Sequence, residues 1–569
     1  MTKYSLSIEQ AHQQYIQFHV LFSDLPENAL IHLPRWRPGR YEFGNFAKNV
    51  RFFRVFDEQG NPLSFQKEGL SSWRLKNSEN ASVRIEYSYY AAELNAGSTY
   101  LSDHQLYVNP VNCFVYADAQ IANSCSVHLN IPTDWEIAGS LIKKDGLLLA
   151  SDFHELADSP FICSAQLQHR TYQSNETLFH LWFNGDAIIP WEKVIRDFQR
   201  FTDKQMEKFV QFPVNDYHFL FQILPNKAYH GVEHQKSTVI TLGPTYDVFD
   251  GGYADLLGVS SHELYHTWNV KAIRPIEMYP YDYQQENLSK LGYLCEGVTT
   301  YMGDLMLYKS GVFNLDEYLK EMAVQLQKHF DNFGRFNYSV ADSSYDTWLD
   351  GYVPGAPGRK VSIYTEGCLL AFVTDIRIRQ YSENKYDLDE VMKRLYVDFA
   401  MQNKGVSEAD YMNLVVQYAG EEMRTVFNDY FYGIKPFDEL LKAAFDVIGL
   451  EMTQVPSPKY SFSKLGFKSL PQGTNHIVNA IYPGSPADLA GLRLMDEIIA
   501  VNDFLLNGEL DKWLNYCNDR QKELTVIRSG KLVKLAFPEV QRHFFLDYSI
   551  RVKEQVSSDQ KKAFELWSK

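Results

Sequence analysis

The chain has 569 residues, of which 45% are hydrophobic and 22% are charged, proportions typical of a soluble globular protein. This length exceeds what one ordinary core can hold, so we expect three or four domains. The 55 basic and 71 acidic residues give a net charge of −16, which argues against a sequence-independent grip on nucleic acid or anionic lipid.

The cysteines and the apolar runs of the sequence indicate the cellular compartment in which the protein works. Six cysteines are scattered without a Cys-x-x-Cys pair, which fits free thiols in a reducing environment better than a disulfide framework. The first ten residues lack the apolar core of a signal peptide, and no run of about 18 apolar residues appears. We therefore expect a cytoplasmic protein with no membrane and no nucleic-acid partner.

The first part of the chain is predicted to be sheet. Apolar residues alternate with polar ones, as at Ile16, Phe18 and Val20, which indicates strands with one buried face. We predict an N-terminal β-sandwich over residues 1–170. Within it, residues 36–41 (Trp-Arg-Pro-Gly-Arg-Tyr) have the composition of a rigid loop, for which a tight structural turn is a more common role than a place beside an active site.

The middle of the chain combines strands with helices. An i, i+3, i+4 apolar stripe begins after Pro190, and two strand-like runs follow at 218–224 and 237–242. From about 253 to 448 the pattern is mainly helical. We predict one domain over residues 171–453.

The C-terminal part returns to strands after a short linker. Residues 459–545 are predicted to form a separate small domain, and residues 546–569 a short helical tail. The fold class expected for the whole chain is multidomain α+β.

A His-Glu-x-x-His pattern stands near the middle of the chain, at His262, Glu263 and His266. On a helix the two histidines lie on one face, so both imidazoles could reach one zinc ion at about 2.0–2.1 Å. Glu263 stands where such sites place the general base. The pattern also occurs by chance in long helices, so it is a hypothesis that other residues must support.

A catalytic zinc takes three protein ligands and leaves one position for water. Glu296 follows the second histidine by thirty positions and opens a helical segment from which its carboxylate could reach the metal. The alternative is a solvated glutamate stabilised near the start of a helix. The presence of His262 and His266 favours the interpretation of Glu296 as a metal ligand.

Together these residues carry a family resemblance. Residues 262–275 (His-Glu-Leu-Tyr-His-Thr-Trp-Asn-Val-Lys-Ala-Ile-Arg-Pro), followed by Glu296-Gly297, closely resemble the PDZ-containing glycyl aminopeptidases, zinc peptidases of the gluzincin type. The likeness extends to the loop at 36–39, to residues 157–161 and to the C-terminal region. It implies an N-terminal β domain, a thermolysin-like, mainly helical catalytic domain and a PDZ domain. It also implies one Zn²⁺ per chain, held by His262, His266 and Glu296, with Glu263 as general base.

An aminopeptidase also needs a carboxylate for the free α-ammonium group of its substrate. Gly231-Val232-Glu233-His234 resembles the Gly-x-Met-Glu-Asn motif that performs this task in related aminopeptidases, although His234 stands in the last position. The resemblance implies Gly231, Glu233 and His234 as substrate-binding residues on or beside an edge strand. An ordinary surface loop is the alternative.

A donor for the tetrahedral oxyanion is the next requirement. Tyr364 lies in a segment that resembles the Tyr-x-Lys-Gly motif of the neutral aminopeptidases, but Glu366 replaces the lysine. Tyr364 is therefore a candidate for this role, and a structural role is its alternative. Lys271 and Arg274 are expected to orient the chain that leaves the zinc helix.

The C-terminal domain carries its own resemblance. Leu465-Gly466-Phe467 resembles the carboxylate-binding loop of PDZ domains, and residues 484–498 resemble their core signature, with a helix at 509–516 as the other wall of the groove. The groove could take a peptide C-terminus, or the domain could serve packing alone.

The leading functional hypothesis is a zinc aminopeptidase that removes small N-terminal residues, Gly or Ala, from peptides, with a zinc-bound water activated by Glu263. A zinc endopeptidase, which would not need Glu233 near the metal, is one alternative. A PDZ-based peptide-binding scaffold with a vestigial metal site is the other.

Overall fold

The computed structural model describes residues 1–353 and 355–569. The chain divides into two compact units. The first comprises Met1–Tyr318, Phe333–Val447 and Lys562–Lys569, and the second comprises Leu319–Asn332 and Ile448–Lys561.

The N-terminal part of the first unit is built from strands. They form a seven-stranded sheet in the order β13-β14-β11-β1-β2-β7-β4 and two four-stranded sheets, β10-β3-β6-β5 and β12-β15-β9-β8. The elements are β1 (Thr2–Ser7), β2 (Tyr15–Leu25), β3 (Leu30–His32), β4 (Val50–Phe56), β5 (Phe65–Gly69), β6 (Ser72–Leu75), β7 (Ala81–Tyr90), β8 (Tyr100–Leu101), β9 (Gln105–Val108), α1 (Pro110–Cys113), β10 (Tyr116–Ala117), β11 (Cys125–Asn130), β12 (Glu136–Gly139), β13 (Ile142–Lys144), β14 (Leu147–Ala150), α2 (Phe153–Ala157) and β15 (Phe161–Ser164).

Two of these sheets share one apolar core. In β2 the burial alternates residue by residue, because successive side chains of a strand point to opposite faces. Phe18 of β2 stacks on Tyr87 of β7 at 4.8 Å, and Phe53 of β4 stacks on Trp73 of β6 at 4.4 Å between ring centroids. The β-rich N-terminal domain predicted from this alternation is confirmed.

The rest of the first unit is a five-stranded sheet with many helices. The sheet has the order β16-β17-β18-β20-β19. The elements are β16 (Gln168–Ser174), β17 (Thr177–Asn184), α3 (Trp191–Met206), β18 (Asp216–Ile223), β19 (Ala228–Glu233), β20 (Ser237–Gly243), α4 (Tyr253–Tyr265), a π-helical turn (Tyr293–Val298), α5 (Thr299–Lys309), α7 (Val340–Tyr345), α8 (Thr347–Asp350), α9 (Ile363–Tyr381), α10 (Leu388–Asp398), α11 (Glu408–Ala419), α12 (Met423–Val426), a second π-helical turn (Phe427–Phe431) and α13 (Asp438–Val447). Helix α6 (Leu315–Asp331) begins in this unit, and its residues from Leu319 onward belong to the second unit.

Strand β19 matters most for the site, because it ends the strand order of this sheet. It pairs antiparallel with β20, with Gly231 opposite Ile240 and Glu233 opposite Thr238. The edge position expected for the segment 231–234 is therefore present. An edge strand offers unpaired backbone groups to an extended peptide.

The second unit is again rich in strands, as the returning strand pattern predicted. Its main sheet has the order β22-β23-β24-β26-β27, with β25 beside β24, and β21 pairs antiparallel with β28. The elements are β21 (Leu450–Pro456), a π-helical turn (Ser461–Leu465), β22 (Phe467–Gln472), β23 (Asn475–Ile481), α14 (Pro486–Leu489), β24 (Glu497–Val501), β25 (Phe504–Leu505), α15 (Leu510–Tyr516), β26 (Glu523–Arg528), β27 (Lys531–Ala536) and β28 (Leu546–Val552). Helix α16 (Ser558–Trp567) begins in this unit, and its residues from Lys562 onward belong to the first unit.

Across the residues that the structure describes, no helix combines the length and the apolar character needed to cross a bilayer.

Candidate metal centre and active site

Three side chains converge where the sequence predicts a zinc site. The Nε2 atoms of His262 and His266 lie 2.9 Å apart, and Oε2 of Glu296 lies 3.7 Å and 3.3 Å from them respectively. Ligand atoms at about 2.0–2.1 Å from a tetrahedral zinc are separated by about 3.3 Å. The three measured separations bracket this value, so the donor set and its spacing fit one zinc ion.

The hydrogen bonds of His266 fix which of its ring nitrogens faces the other ligands. Its Nδ1 donates to the carbonyl oxygen of Asn269 at 2.7 Å, which leaves the lone pair of Nε2 directed at His262 and Glu296. Three electron-rich atoms then face each other, and they repel unless a cation or a proton lies among them.

The charges around His266 also favour a cation in the cluster. Burial alone would lower the pKa of His266, but the carboxylates of Glu296 and Glu233 outweigh it and raise that pKa to about 10. A positive charge at this position is therefore stabilised strongly. A metal ion can take the place of the proton.

Close backbone contacts hold the ligands in place. A Cβ on Gly303 of α5 would lie 3.1 Å from the backbone of His262, and Ser261 donates its hydroxyl to the Gly303 carbonyl at 2.7 Å. A Cβ on Gly297, next to Glu296, would lie 2.3 Å from the Cα of Gly367 in α9. Two glycines thus allow the π-helical turn that bears Glu296 to pack directly on α9.

Glu263 lies beside the cluster, as a general base requires. It is 5% exposed, and its Oε2 has no hydrogen-bond partner among the described residues. Burial raises the pKa of Glu263 well above its usual range; His266 opposes this shift, and Glu233 reinforces it. A Cβ on Gly231 would lie 2.2 Å from Oε1 of Glu263, so strand β19 runs directly against this carboxylate.

Glu233 reaches the same place from the edge strand. Donor atoms of Glu233, Glu263 and His266 lie within 4.8 Å of one another, and Glu233 is 4% exposed. Its Oε1 has no hydrogen-bond partner in the described part of the chain. The structure thus brings Glu233 and Gly231 to the metal cluster, where a carboxylate could receive a substrate ammonium group.

His234, which follows Glu233 in the chain, takes part in a buried network through one of its ring nitrogens. Its Nδ1 lies 3.0 Å from Oδ1 of Asp158, and the same oxygen accepts a hydrogen bond from Nζ of Lys271 at 2.8 Å. Burial opposes the charge of Asp158, but Lys271 and His234 together lower its pKa. Lys271 is therefore an anchor of the chain that leaves the zinc helix, as expected, and His234 shares its counter-ion.

Tyr364 lies beside the metal ligands. It stands in the first turn of α9, with its ring 6.5 Å from that of His262 between centroids, and it shares a hydrogen bond with Tyr352. Burial raises the pKa of the Tyr364 phenol. The hydroxyl therefore remains protonated at neutral pH, as an oxyanion donor must.

The N-terminal loop at 36–41 contributes residues that the sequence did not assign to the site. It is a tight turn, with φ +88° at Gly39, but it also lines the active site: a Cβ on Gly39 would lie 2.4 Å from Oε2 of Glu233. Tyr41 donates its hydroxyl to Oε1 of Glu296 at 3.4 Å. The turn predicted as structural is thus also part of the site, and its rigid composition was the only sequence signal for it.

Two family models match parts of the chain. Residues 3–165 match the model of the Peptidase M61 N-terminal domain, and residues 255–370 match that of M61 glycyl aminopeptidase. No curated protein matches the chain.

One solved structure shows the same fold along the whole chain. An aminopeptidase N family protein from Idiomarina loihiensis superposes with a TM-score of 0.91 at 23% identity, with 100% of both chains covered. More distant are an M1 zinc metallopeptidase from Deinococcus radiodurans (TM-score 0.46, 13% identity, 76% of this chain and 93% of that chain) and native yeast LTA4 hydrolase (0.45, 13%, 75% and 66%). Through its N-terminal and catalytic domains, the chain belongs to the M61 glycyl aminopeptidase family.

Proposed function

We propose that this protein is a zinc-dependent aminopeptidase that removes small N-terminal residues, Gly or Ala, from peptides. The observation that carries the proposal is the convergence of Glu233 and Glu263 on the cluster of His262, His266 and Glu296. An endopeptidase would need the cluster and Glu263, but not a second buried carboxylate whose oxygen lacks a partner. The small-residue preference rests on the name of the family and on the close approach of the Gly39 backbone to the Glu233 carboxylate.

His262, His266 and Glu296 would hold one Zn²⁺ per chain. When bound, zinc polarises a carbonyl oxygen and lowers the pKa of a coordinated water. Side chains and backbone groups of the protein would bind the substrate, transfer the proton and stabilise the oxyanion.

Glu233 would bind the substrate ammonium group, and the edge of β19 would pair with the peptide backbone. Glu263 would accept a proton from the attacking water and return it to the leaving amine. Its raised pKa suits both steps, since it can hold the proton between them. The Tyr364 hydroxyl would donate a hydrogen bond to the developing oxyanion.

The test compares Gly- and Ala-anilides with their N-acetylated forms, with zinc content measured on the same samples. An aminopeptidase cleaves only the free-amine set and loses activity with a chelator. An endopeptidase tolerates the acetyl group, and a scaffold cleaves neither.

Two variants assign the roles. Glu263→Gln should retain zinc and lose turnover; normal hydrolysis would rule out Glu263 as the base. Glu233→Ala should raise the Michaelis constant for free-amine substrates while sparing zinc content, and an unchanged constant would remove its anchoring role.

We also propose that residues 459–545 form a PDZ domain whose groove takes a peptide C-terminus. In support, β22 ends the strand order of its sheet and starts directly after Gly466, a left-handed residue with φ +74°. Leu510 and Leu514 of α15 share one core with Phe467 of β22. Titration of the full-length Glu263→Gln protein with N-acetylated peptides tests this groove. Binding of the free acid but not of the C-terminal amide supports it, and no binding favours a packing role.

A further inference from the structure

A cavity of about 620 Å³ lies beside the active-site loop in the first unit. Its lining comes mostly from the N-terminal domain, including Arg37, Arg40, Lys48 and Asn112. His230 of the edge strand β19 also lines it. The cavity therefore adjoins the strand that bears Glu233, three residues further along the chain.

Arg37 is the unusual residue of this cavity. It is only 6% exposed, yet among the described residues no carboxylate lies within 4.0 Å of its guanidinium, and its Nη1 has no hydrogen-bond partner. The guanidinium lies against the Gly97 backbone, where a Cβ would be 2.0 Å from Nη2. The carboxylate of Glu233 acts on Arg37 only from beyond ion-pair distance. A buried arginine without a carboxylate in contact is costly, so an anion that reaches its guanidinium would be bound strongly.

Arg37 differs in this respect from its neighbour Arg40. The guanidinium of Arg40 is paired with Glu42 and lies over the ring of Tyr352, 4.4 Å from the centroid. Its charge is thus already compensated. Arg37 remains as the buried cation of the cavity.

Asn112 adds an acceptor. It is 2% exposed and donates its Nδ2 to the Gly97 carbonyl at 2.9 Å, while its Oδ1 has no partner among the described residues. A cation and a free acceptor on one wall match a carboxylate next to a peptide N–H.

The direction of a bound peptide follows from the site. The substrate ammonium group lies at Glu233 and the first peptide bond at Glu263, which contacts the Gly231 position. The peptide therefore runs antiparallel to β19, from Glu233 past Gly231 to His230. At about 3.3–3.4 Å per residue, the three steps from Glu233 to His230 span about 10 Å, the length of an extended tripeptide.

We propose that Arg37 binds the C-terminal α-carboxylate of tripeptide substrates and that Asn112 accepts their last N–H. This inference rests on the proposed aminopeptidase function. In this arrangement Glu233 binds the ammonium group of a short peptide and Arg37, in the cavity, binds its carboxylate. The distance between the two residues then selects the length of the peptide.

The experiment measures kcat/KM for Gly-Gly-Gly as the free acid and as the C-terminal amide. The wild type should prefer the acid by about ten- to a hundredfold, as a charge-assisted hydrogen bond to a buried guanidinium provides. In Arg37→Gln the ratio should fall to about one through loss of activity on the acid.

Lys48→Gln is the matched control, since it removes the same charge from an exposed residue of the cavity lining. It should keep the wild-type ratio within about twofold. Loss of the ratio in both variants would show a diffuse charge effect and overturn the assignment to Arg37.

A length series on the wild type needs no variant. The ratio of acid to amide should be largest for the tripeptide and smaller for the dipeptide and the pentapeptide. A ratio of one at every length, with Gly-anilide still cleaved, overturns this inference alone. Failure to cleave Gly-anilide overturns the aminopeptidase function itself.

Discussion

Gly231→Ala is the substitution that tests the geometry of the site most directly. The new Cβ would lie 2.2 Å from Oε1 of Glu263, whereas ordinary contacts of Cβ atoms begin at 3.4 Å. The carboxylate must therefore move by about 1 Å. The carboxylate stands at the end of a flexible side chain, and Cγ2 of Val259, 2.8 Å from the new atom, must also shift. The fold can accommodate the methyl group through these shifts, but the general base cannot keep its position.

A misplacement of about 1 Å in an active site costs about a hundredfold in rate. We expect kcat on Gly-anilide to fall by about that factor, while zinc content stays at that of the wild type. The melting temperature should fall modestly, because Val259 is displaced. Gly258→Ala is the matched control. Gly258 lies on helix α4, which also carries Glu263, and a Cβ there has nothing within 4 Å. This substitution should leave activity unchanged and stabilise the protein by about 0.5–1 kcal/mol. A Gly231→Ala enzyme with kcat within about threefold of the wild type would refute the placement of Glu263 against β19.

Three further predictions concern other parts of the first unit. Asp158→Ala leaves the buried Lys271 ammonium without its counter-ion, so urea denaturation should show a loss of about 3–5 kcal/mol in unfolding free energy; unchanged stability would contradict the ion pair. Tyr364→Phe should lower kcat by about 10²–10³-fold with KM and zinc content unchanged, whereas Tyr352→Phe should have a milder effect, and equal effects would remove the oxyanion role. Burial lowers the pKa of His169 to about 4, so the stability that its neutral form provides is present above pH ~6.5 and is lost as the pH falls toward 4. His169→Gln should therefore make the fall in melting temperature from pH 7 to 4.5 shallower, and an identical slope would argue against it.

Residues close in sequence made the metal site predictable. His262, Glu263 and His266 share one helix turn, and the helical period alone places both imidazoles on one face. Glu296 was found because a catalytic zinc needs a third ligand, which narrowed the search to acidic residues on the next helix. The alternating strands of the N-terminal domain and the helical stretch after residue 253 were likewise visible as local periods.

The residues that surround the metal ligands could not be predicted from local sequence patterns. Tyr41 contacts Glu296 across 255 positions of sequence, and Lys271 meets Asp158 across 113. Such pairs depend on how the N-terminal domain packs on the catalytic domain, and no local period records that. In the sequence, Arg37 stood out only as part of a rigid loop. That no carboxylate among the described residues pairs with its guanidinium can be seen only in the folded structure.

The Asp158 network has a consequence for the modularity of the family. The N-terminal domain supplies the carboxylate that neutralises Lys271, a residue 2% exposed in the chain that leaves the zinc helix. A catalytic domain produced alone would lack the Asp158 carboxylate, and the Lys271 ammonium group would lose its ion-pair partner. The N-terminal domain therefore contributes to the stability of the segment that follows the zinc helix, and a catalytic domain expressed without it should be less stable than the full chain.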